Sequence, residues 1–399
     1  MIYTLKLNSF LKNIIFTILL FSLLFTIVEL FLRSVSSEHD HVLRLLNKPW
    51  YTILPLNIPD KNSYKEEKKN KPVSYRVYDP MLGWKINSNG EQPPLYFSSS
   101  YGSRVPKSEY QSGINPKKAD IITIGNSFTH GDEVYCEDSW PYLLSQLRSK
   151  MVVNFGTSGY GIDQAILSYI YSPIETDTVV LGIIPGDFER ATNIVYKGIY
   201  YGGNKSKPMF YFKDDGSYEL KNQPCLFGMD LWREFNLGVQ SDFFKIDKSY
   251  DDILFKKELL NNFFSFRIFK MLKYRYEYIK PPIYLKMNND PNYDYILKIL
   301  KVFYEECEKN EDFPIIVLLD NNNTFFDRKK YPAPWKHIIA DLKDIGFFVI
   351  EASNKIVKMH NDNSFSIINK GGVHYTPLAN KIVAEHINAN LKNHFNTRR

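Results

Sequence analysis

The chain has 399 residues, 44% of them hydrophobic and 24% charged, enough apolar side chain for a large core and too much charge for a polytopic membrane protein. The formal charge of +6 is mild for this length and the lysines are scattered, so no nucleic-acid partner is implied. Cys136, Cys225 and Cys307 are odd in number and far apart, which excludes a disulfide framework and a zinc site and leaves room for one bridge at most.

In chain order, the first element is an apolar run. Asn13 to Val28 carries no charge and the run continues past Glu29 through Leu30, Phe31 and Leu32, close to the roughly 20 residues that a bilayer core requires. This predicts one membrane-spanning anchor over residues 1–33. The run is longer than the usual core of a cleaved leader, and Arg33 crowds the small residues Ser34-Val35-Ser36 that cleavage would use, so a retained anchor is expected. Lys6 and Lys12 on one side nearly balance Arg33, Arg44 and Lys48 on the other. A short N-terminal tail ordinarily stays in the cytoplasm, which puts the remainder on the exported side. Residues 34–75 read as a polar stalk, closing on the charge-dense run from Tyr64 to Lys71, with no apolar periodicity for packing.

The domain expected over 76–399 begins with a loop-rich lead-in containing Asp79-Pro80-Met81-Leu82-Gly83-Trp84 and Tyr101-Gly102-Ser103-Arg104. Strands follow at Asp120–Ile124, Met151–Phe155 and Thr178–Ile184, with a helix at Ser139–Arg148. The alternation lapses over an insertion, about 196–292, rich in Tyr, Phe and Lys. It holds a predicted helix from Asp251 to Tyr278 and then Pro281-Pro282. Its aromatic and basic character suits a cover over a binding site, although a solvated helix packed by one aromatic face is the simpler expectation. Strands return at Pro314–Asp320 and Phe347–Ile350 around a helix at Trp335–Lys343, and a last helix covers Pro377–Lys392. Five buried parallel strands alternating with helices predict a three-layer α/β/α sandwich with a flavodoxin-like sheet.

Three loops carry candidate chemistry. The first strand runs into Gly125-Asn126-Ser127-Phe128-Thr129-His130-Gly131, putting a serine at a carboxyl strand end, where open α/β sheets bind ligands. The second enters Gly156-Thr157-Ser158-Gly159-Tyr160-Gly161, whose bare amides can approach an oxygen anion. Near the C-terminus, Gly371-Gly372-Val373-His374-Tyr375-Thr376-Pro377 sets a histidine just before a helix. Nucleophile, oxyanion donors and base would then meet at one sheet edge. Dinucleotide and phosphate-loop patterns are absent, and no cofactor is called for. His130, Asp132 and Glu133 stand close together, but neighbouring polar loop residues are ordinarily solvated and no second cluster joins them, so no metal is expected.

The order and wording of these segments resemble the SGNH (GDSL-like) hydrolase superfamily, over roughly Asp120 to Asp187 and the last 30 or so residues. The lead-in resembles membrane-tethered bacterial members found among surface-polysaccharide proteins. The resemblance implies Ser127 as nucleophile, His374 as general base, and the amides of Ser127 and Gly159 as oxyanion donors. Asn126 replaces the family's Asp, which should weaken the hydrogen bonding of the turn. Gly186 stands where the family has its oxyanion Asn, and Gly371 where it has the Asp three residues before the histidine. Asp187, Asp320 and Glu351, at predicted strand ends, are the candidates to replace that acid. The implied activity is that of an esterase or O-acetyltransferase on a small ester or an acylated cell-surface glycan. Two other readings are a degenerate domain that binds polysaccharide or partner proteins, and an anchor protein that oligomerises through its insertion.

Overall fold

The computed structural model describes residues 2–39, 42–65, 74–110, 112, 116–278, 283–285, 291–321, 334–361 and 367–396. Pro281-Pro282 and residues 66–71 of the charge-dense run lie outside them. Helix α1 (Ile2–Ser34) leads into a hairpin of β1 (Ser36–His39) and β2 (Val42–Leu45) and a short helix α2 (Lys61–Lys65). A second hairpin, β3 (Arg76–Asp79) and β4 (Gly83–Ile86), precedes β5 (Glu91–Gln92), β6 (Tyr96–Ser98), β7 (Arg104–Val105) and β8 (Lys118–Ala119). The alternating part then runs β9 (Ile121–Gly125), α3 (Ser127–His130), α4 (Trp140–Arg148), β10 (Val152–Asn154), α5 (Ile162–Ile170), β11 (Glu175–Thr176), β12 (Thr178–Ile183) and α6 (Gly186–Ala191). The insertion contributes a hairpin of β13 (Met209–Phe212) and β14 (Tyr218–Lys221), α7 (Met229–Leu237) and α8 (Phe264–Tyr278). The chain closes with α9 (Pro291–Lys309), β15 (Phe313–Leu318), α10 (Lys336–Ile345), β16 (Phe348–Glu351), α11 (Ser353–Asn361) and α12 (Pro377–Asn396).

The central sheet has the order β16-β15-β12-β9-β10-β7-β6-β5. Its first five strands are the five expected ones, all parallel, in flavodoxin-like order. The lead-in adds three antiparallel strands, so the described sheet is wider than five. Side chains alternate across it in strict strand period. Ile122, Ile124, Val179, Leu181, Ile316 and Leu318 join one buried cluster with α5, α9, α10 and the insertion. Ile121, Val180, Ile315 and Val317 join another with α4, α11 and α12. Strands buried on both faces explain why they read as continuous apolar runs, and two helical layers complete the α/β/α sandwich.

Two expectations need correction. Residues 34–65 do not form a free stalk: Ile53, Leu54, Leu56 and Tyr64 are buried, Leu56 donates its amide to the Leu254 carbonyl at 2.7 Å, and Trp232 Nε1 donates to the Pro59 carbonyl at 2.8 Å. Between the β1–β2 hairpin and α2, the stretch from Ile53 to Pro59 packs against the insertion without regular structure, which is why it shows no helical or strand period. The helix expected from Asp251 is confined to α8, and the residues before it form two 3₁₀ turns at Asp252–Leu254 and Leu259–Asn262. Cys136, Cys225 and Cys307 are all buried and free.

Candidate active site

Ser127 is the first residue of α3 at the carboxyl end of β9. Its own amide is therefore among the helix donors left without an intrahelical partner. Asn126 caps this helix, its side-chain oxygen accepting from Phe128 N at 2.6 Å. Its Nδ2 donates to Asp187, a bond that a carboxylate at position 126 could not make. The expected weakening of the turn does not occur, because the amide serves both partners at once.

His374 is held by a small hairpin. Asn369 N donates to the His374 carbonyl at 2.9 Å, Thr376 N donates to the Ile367 carbonyl at 2.8 Å, and the ring of Phe128 packs 5.1 Å from the imidazole. This brings Nε2 to 2.8 Å from Ser127 Oγ, across 247 residues of chain. On the other side of the ring, Nδ1 lies 2.7 Å from Glu133 Oε1. An ionised carboxylate only accepts, so the proton sits on Nδ1 and Nε2 is free to accept from the serine hydroxyl. Glu133 also accepts from the amides of Val373 and His374 at 3.2 and 3.3 Å. Burial alone would raise its pKa, but these bonds, led by that from His374, outweigh it and hold the carboxyl below its ordinary range. A Cβ at Gly372 would stand 1.9 Å from Glu133 Oε2, so only glycine there leaves room for the carboxylate.

The carboxylate at His374 Nδ1 is thus Glu133, and none of Asp187, Asp320 and Glu351 occupies that place. Asp187 is buried behind the serine, bonded to Asn126, Ile184 N and Arg190, and burial pushes its carboxyl up to about 6 against the pull of Arg190. Asp320 accepts from Trp335 Nε1 at 2.8 Å. Glu351 ends the edge strand β16, and its backbone bonds toward His386 of α12. Gly371 stands with open space around a built Cβ, and the carboxylate that meets His374 Nδ1 comes instead from Glu133, in the loop after Ser127.

Gly159 has φ +85°, and a Cβ there would meet the Tyr196 ring at 2.8 Å, so glycine is needed both for the turn and for the close approach of that ring. Trp84 backs the same loop, its Nε1 donating to the Ser158 carbonyl at 3.1 Å. Gly186 begins α6, and a Cβ there meets no atom within 4 Å. Gly186→Asn is therefore expected to fold normally and, if Gly186 stands where the resemblance puts an oxyanion donor, to raise kcat on an activated ester by up to about 100-fold. Steady-state kinetics against wild type would show this.

A second polar chain lies behind the first, and its members were expected to be solvated. His130 is fully buried, with Nδ1 2.5 Å from Asp132 Oδ1 and Nε2 2.6 Å from the Tyr75 hydroxyl. Ser158 Oγ donates to Asp132 Oδ2 at 2.5 Å, and Arg76 Nη2 donates to Ser158 Oγ at 2.6 Å. Arg104 of β7 donates to the carbonyls of His130, Gly131 and Val134. The lead-in therefore supplies the back wall that ties the serine loop to the glycine loop, and desolvation by that wall is why these loop residues are buried. Sequence reasoning missed Glu133, Tyr75, Arg76 and Arg104. The one available signal was the acidic pair Asp132-Glu133 placed just after Ser127.

Burial, partly opposed by Asp132, lowers the pKa of His130 to about 4. The unfolded chain takes up this proton near pH 6.5 and the folded chain near 4, so stability is lost as pH falls through that window, by up to about 3 kcal/mol. The thermal midpoint of the detergent-solubilised protein is expected to drop less between pH 7 and pH 4.5 in His130→Gln than in wild type.

No family model matches the chain, and no curated protein matches it significantly. Among solved structures it is similar to a G-D-S-L family protein from Desulfitobacterium hafniense DCB-2, with 13% identity over 69% of this chain and 99% of that one and a TM-score of 0.34. It is similar to a member of the lipolytic protein G-D-S-L family from Veillonella parvula DSM 2008, with 12% identity over 67% of this chain and 94% of that one and a TM-score of 0.33. It is also similar to LAE5, an alpha/beta hydrolase enzyme from the metagenome of Lake Arreo, Spain, with 11% identity over 68% of this chain and 94% of that one and a TM-score of 0.35.

Proposed function

We propose that this chain is a membrane-held serine esterase or O-acyltransferase that acts on acyl groups of a cell-surface glycan through an acyl-serine intermediate. The observation that carries the reading is the unbroken relay from Glu133 through His374 to Ser127 Oγ. His374 Nε2 takes the hydroxyl proton as Oγ attacks the ester carbonyl carbon. The amides of Ser127 and Gly159 face the developing oxyanion, and the same proton passes to the departing alkoxide. Water or a sugar hydroxyl, deprotonated by His374, then attacks the acyl-serine and releases Ser127 with its proton restored. Glu133 holds the ring in the productive tautomer and stabilises the imidazolium.

The glycan preference is supported by the wall beside Gly159. Tyr196 is half-buried there, backed edge to face at 5.4 Å by the buried Trp84, the Lys197 ammonium lies 5.5 Å from the centre of the Tyr196 ring, and the Arg76 guanidinium is partly exposed. One accessible aromatic ring with hydrogen-bond donors around it suits a sugar. Helix α1, whose Phe10–Ser34 segment is long and apolar enough to cross a membrane, would hold the domain at the bilayer, on the exported side. The alternative of a polysaccharide-binding domain without turnover keeps Gly186 as its support, since Glu133 makes good the loss at Gly371. Incubating the purified protein with O-acetylated polysaccharide, and following free acetate and polymer-bound acetate by NMR, tests the proposal. Acetate release marks an esterase and transfer to added acceptor a transferase, each lost in Ser127→Ala. Unchanged polymer with both acceptor classes overturns the reading.

A further inference from the structure

We propose that the turn Leu259–Phe263 and the outward face of α8 form a second, non-spanning membrane contact, which sinks into the bilayer interface beside α1. The inference rests on the reading that α1 spans a membrane.

Glu29 is the only acidic residue between Phe10 and Ser34, and it is buried although nearly all of that segment is exposed. A carboxylate at that depth requires partners. Its two oxygens accept from the first amides of α8, Phe264 N at 2.6 Å and Ser265 N at 2.9 Å, where the helix dipole also favours an anion. Around this joint, Arg33 Nη2 donates to the Asn262 carbonyl at 2.9 Å and its guanidinium lies 4.6 Å from the centre of the Phe264 ring. Phe25 meets Phe263 edge to face at 5.2 Å. The insertion is thus fastened to α1 along its last turns.

The depth follows from helix geometry. Phe25 lies about 14 Å from the end of α1 at roughly 1.5 Å per residue. The apolar segment of 25 residues exceeds a hydrocarbon core of about 30 Å by only about 7 Å. Even with all of that excess at the C-terminal end, Phe25 sits inside the hydrocarbon, and Phe263 is held against it.

The surface around the joint matches such a position. Leu259 is 89% exposed and Leu260 52%, and Phe263 is exposed as well. Along α8, Phe269, Leu272 and Tyr276 recur on one face and are 59%, 53% and 91% exposed, while Phe264, Met271 and Tyr274 on the other face are buried in the core. A surface helix on a water-facing domain carries mainly polar residues outward, whereas this one also exposes Phe269, Leu272 and Tyr276 alongside Lys273 and Glu277. The exposed Lys256, Lys257 and Lys273 among these residues fit lipid phosphate at the headgroup level.

The three native cysteines are buried, so a thiol-reactive environment-sensitive fluorophore can report a single introduced cysteine. The full chain would be reconstituted in phosphatidylcholine and phosphatidylglycerol vesicles as Leu260→Cys, as Phe16→Cys in the middle of α1, and as Met151→Cys on the exposed lead into β10. Quenching by spin-labelled lipid is expected to be at least about twofold stronger at Leu260 than at Met151, with iodide acting in the opposite sense. Strong lipid quenching at Leu260 without quenching at Phe16 would uphold the contact while removing the spanning helix. Leu260 quenched by iodide as readily as Met151 overturns the contact even where Phe16 is lipid-quenched. A Leu260 label shielded from both quenchers also overturns it, and assigns the face to another copy of the chain.

Discussion

Ser127→Ala is expected to abolish labelling by a fluorophosphonate probe and to lower turnover of p-nitrophenyl acetate by up to about a millionfold, the cost of losing a nucleophile in a serine triad. His374→Ala should come close to the same value, and the double variant should be no worse than either single one, because serine and histidine act as one unit when joined by a 2.8 Å hydrogen bond. Labelling that persists in Ser127→Ala would remove the serine from the chemistry. Loss of labelling in both single variants, with thermal midpoints unchanged, would establish the pair.

Glu133→Gln should lower kcat by about 10,000-fold, since an amide can present its NH₂ group to Nδ1 and favour the wrong tautomer. KM should change little, because Glu133 touches the histidine rather than the substrate. Asp320→Asn and Glu351→Gln are the decisive controls. Neither carboxylate reaches His374, so both variants should keep wild-type kcat on the same ester. A near-normal Glu133→Gln enzyme with a defective Asp320→Asn or Glu351→Gln would overturn the assignment of the acid.

The five parallel strands were legible because a buried parallel strand must be apolar on both faces, and Ile121–Gly125, Thr178–Ile183 and Phe313–Leu318 write that demand into consecutive residues. Ser127 and His374, which the structure brings to 2.8 Å, could be picked out as candidates because each sits in a turn whose glycines mark it, at a carboxyl strand end or before a helix. The segment long and apolar enough to cross a membrane was legible from length and charge alone. Glu133 was not, because the acid of a triad is defined by distance to a histidine 241 residues away, and local sequence carries no trace of that distance. The same holds for Arg104 in the lead-in, which reads as loop, and for Tyr75 at the end of the expected stalk; both pack into the wall behind the serine turn. Residues 34–65 read as a stalk because two four-residue strands and a five-residue helix are too short to show a period, and the chain between them shows none even where it buries Leu54 and Leu56. Local sequence determined where strands, turns and the apolar segment lie, since those depend on neighbours in the chain. Only the tertiary structure decided which carboxylate serves the histidine, which loop residues lose their water, and that Glu29 caps α8, since each depends on groups brought together by packing.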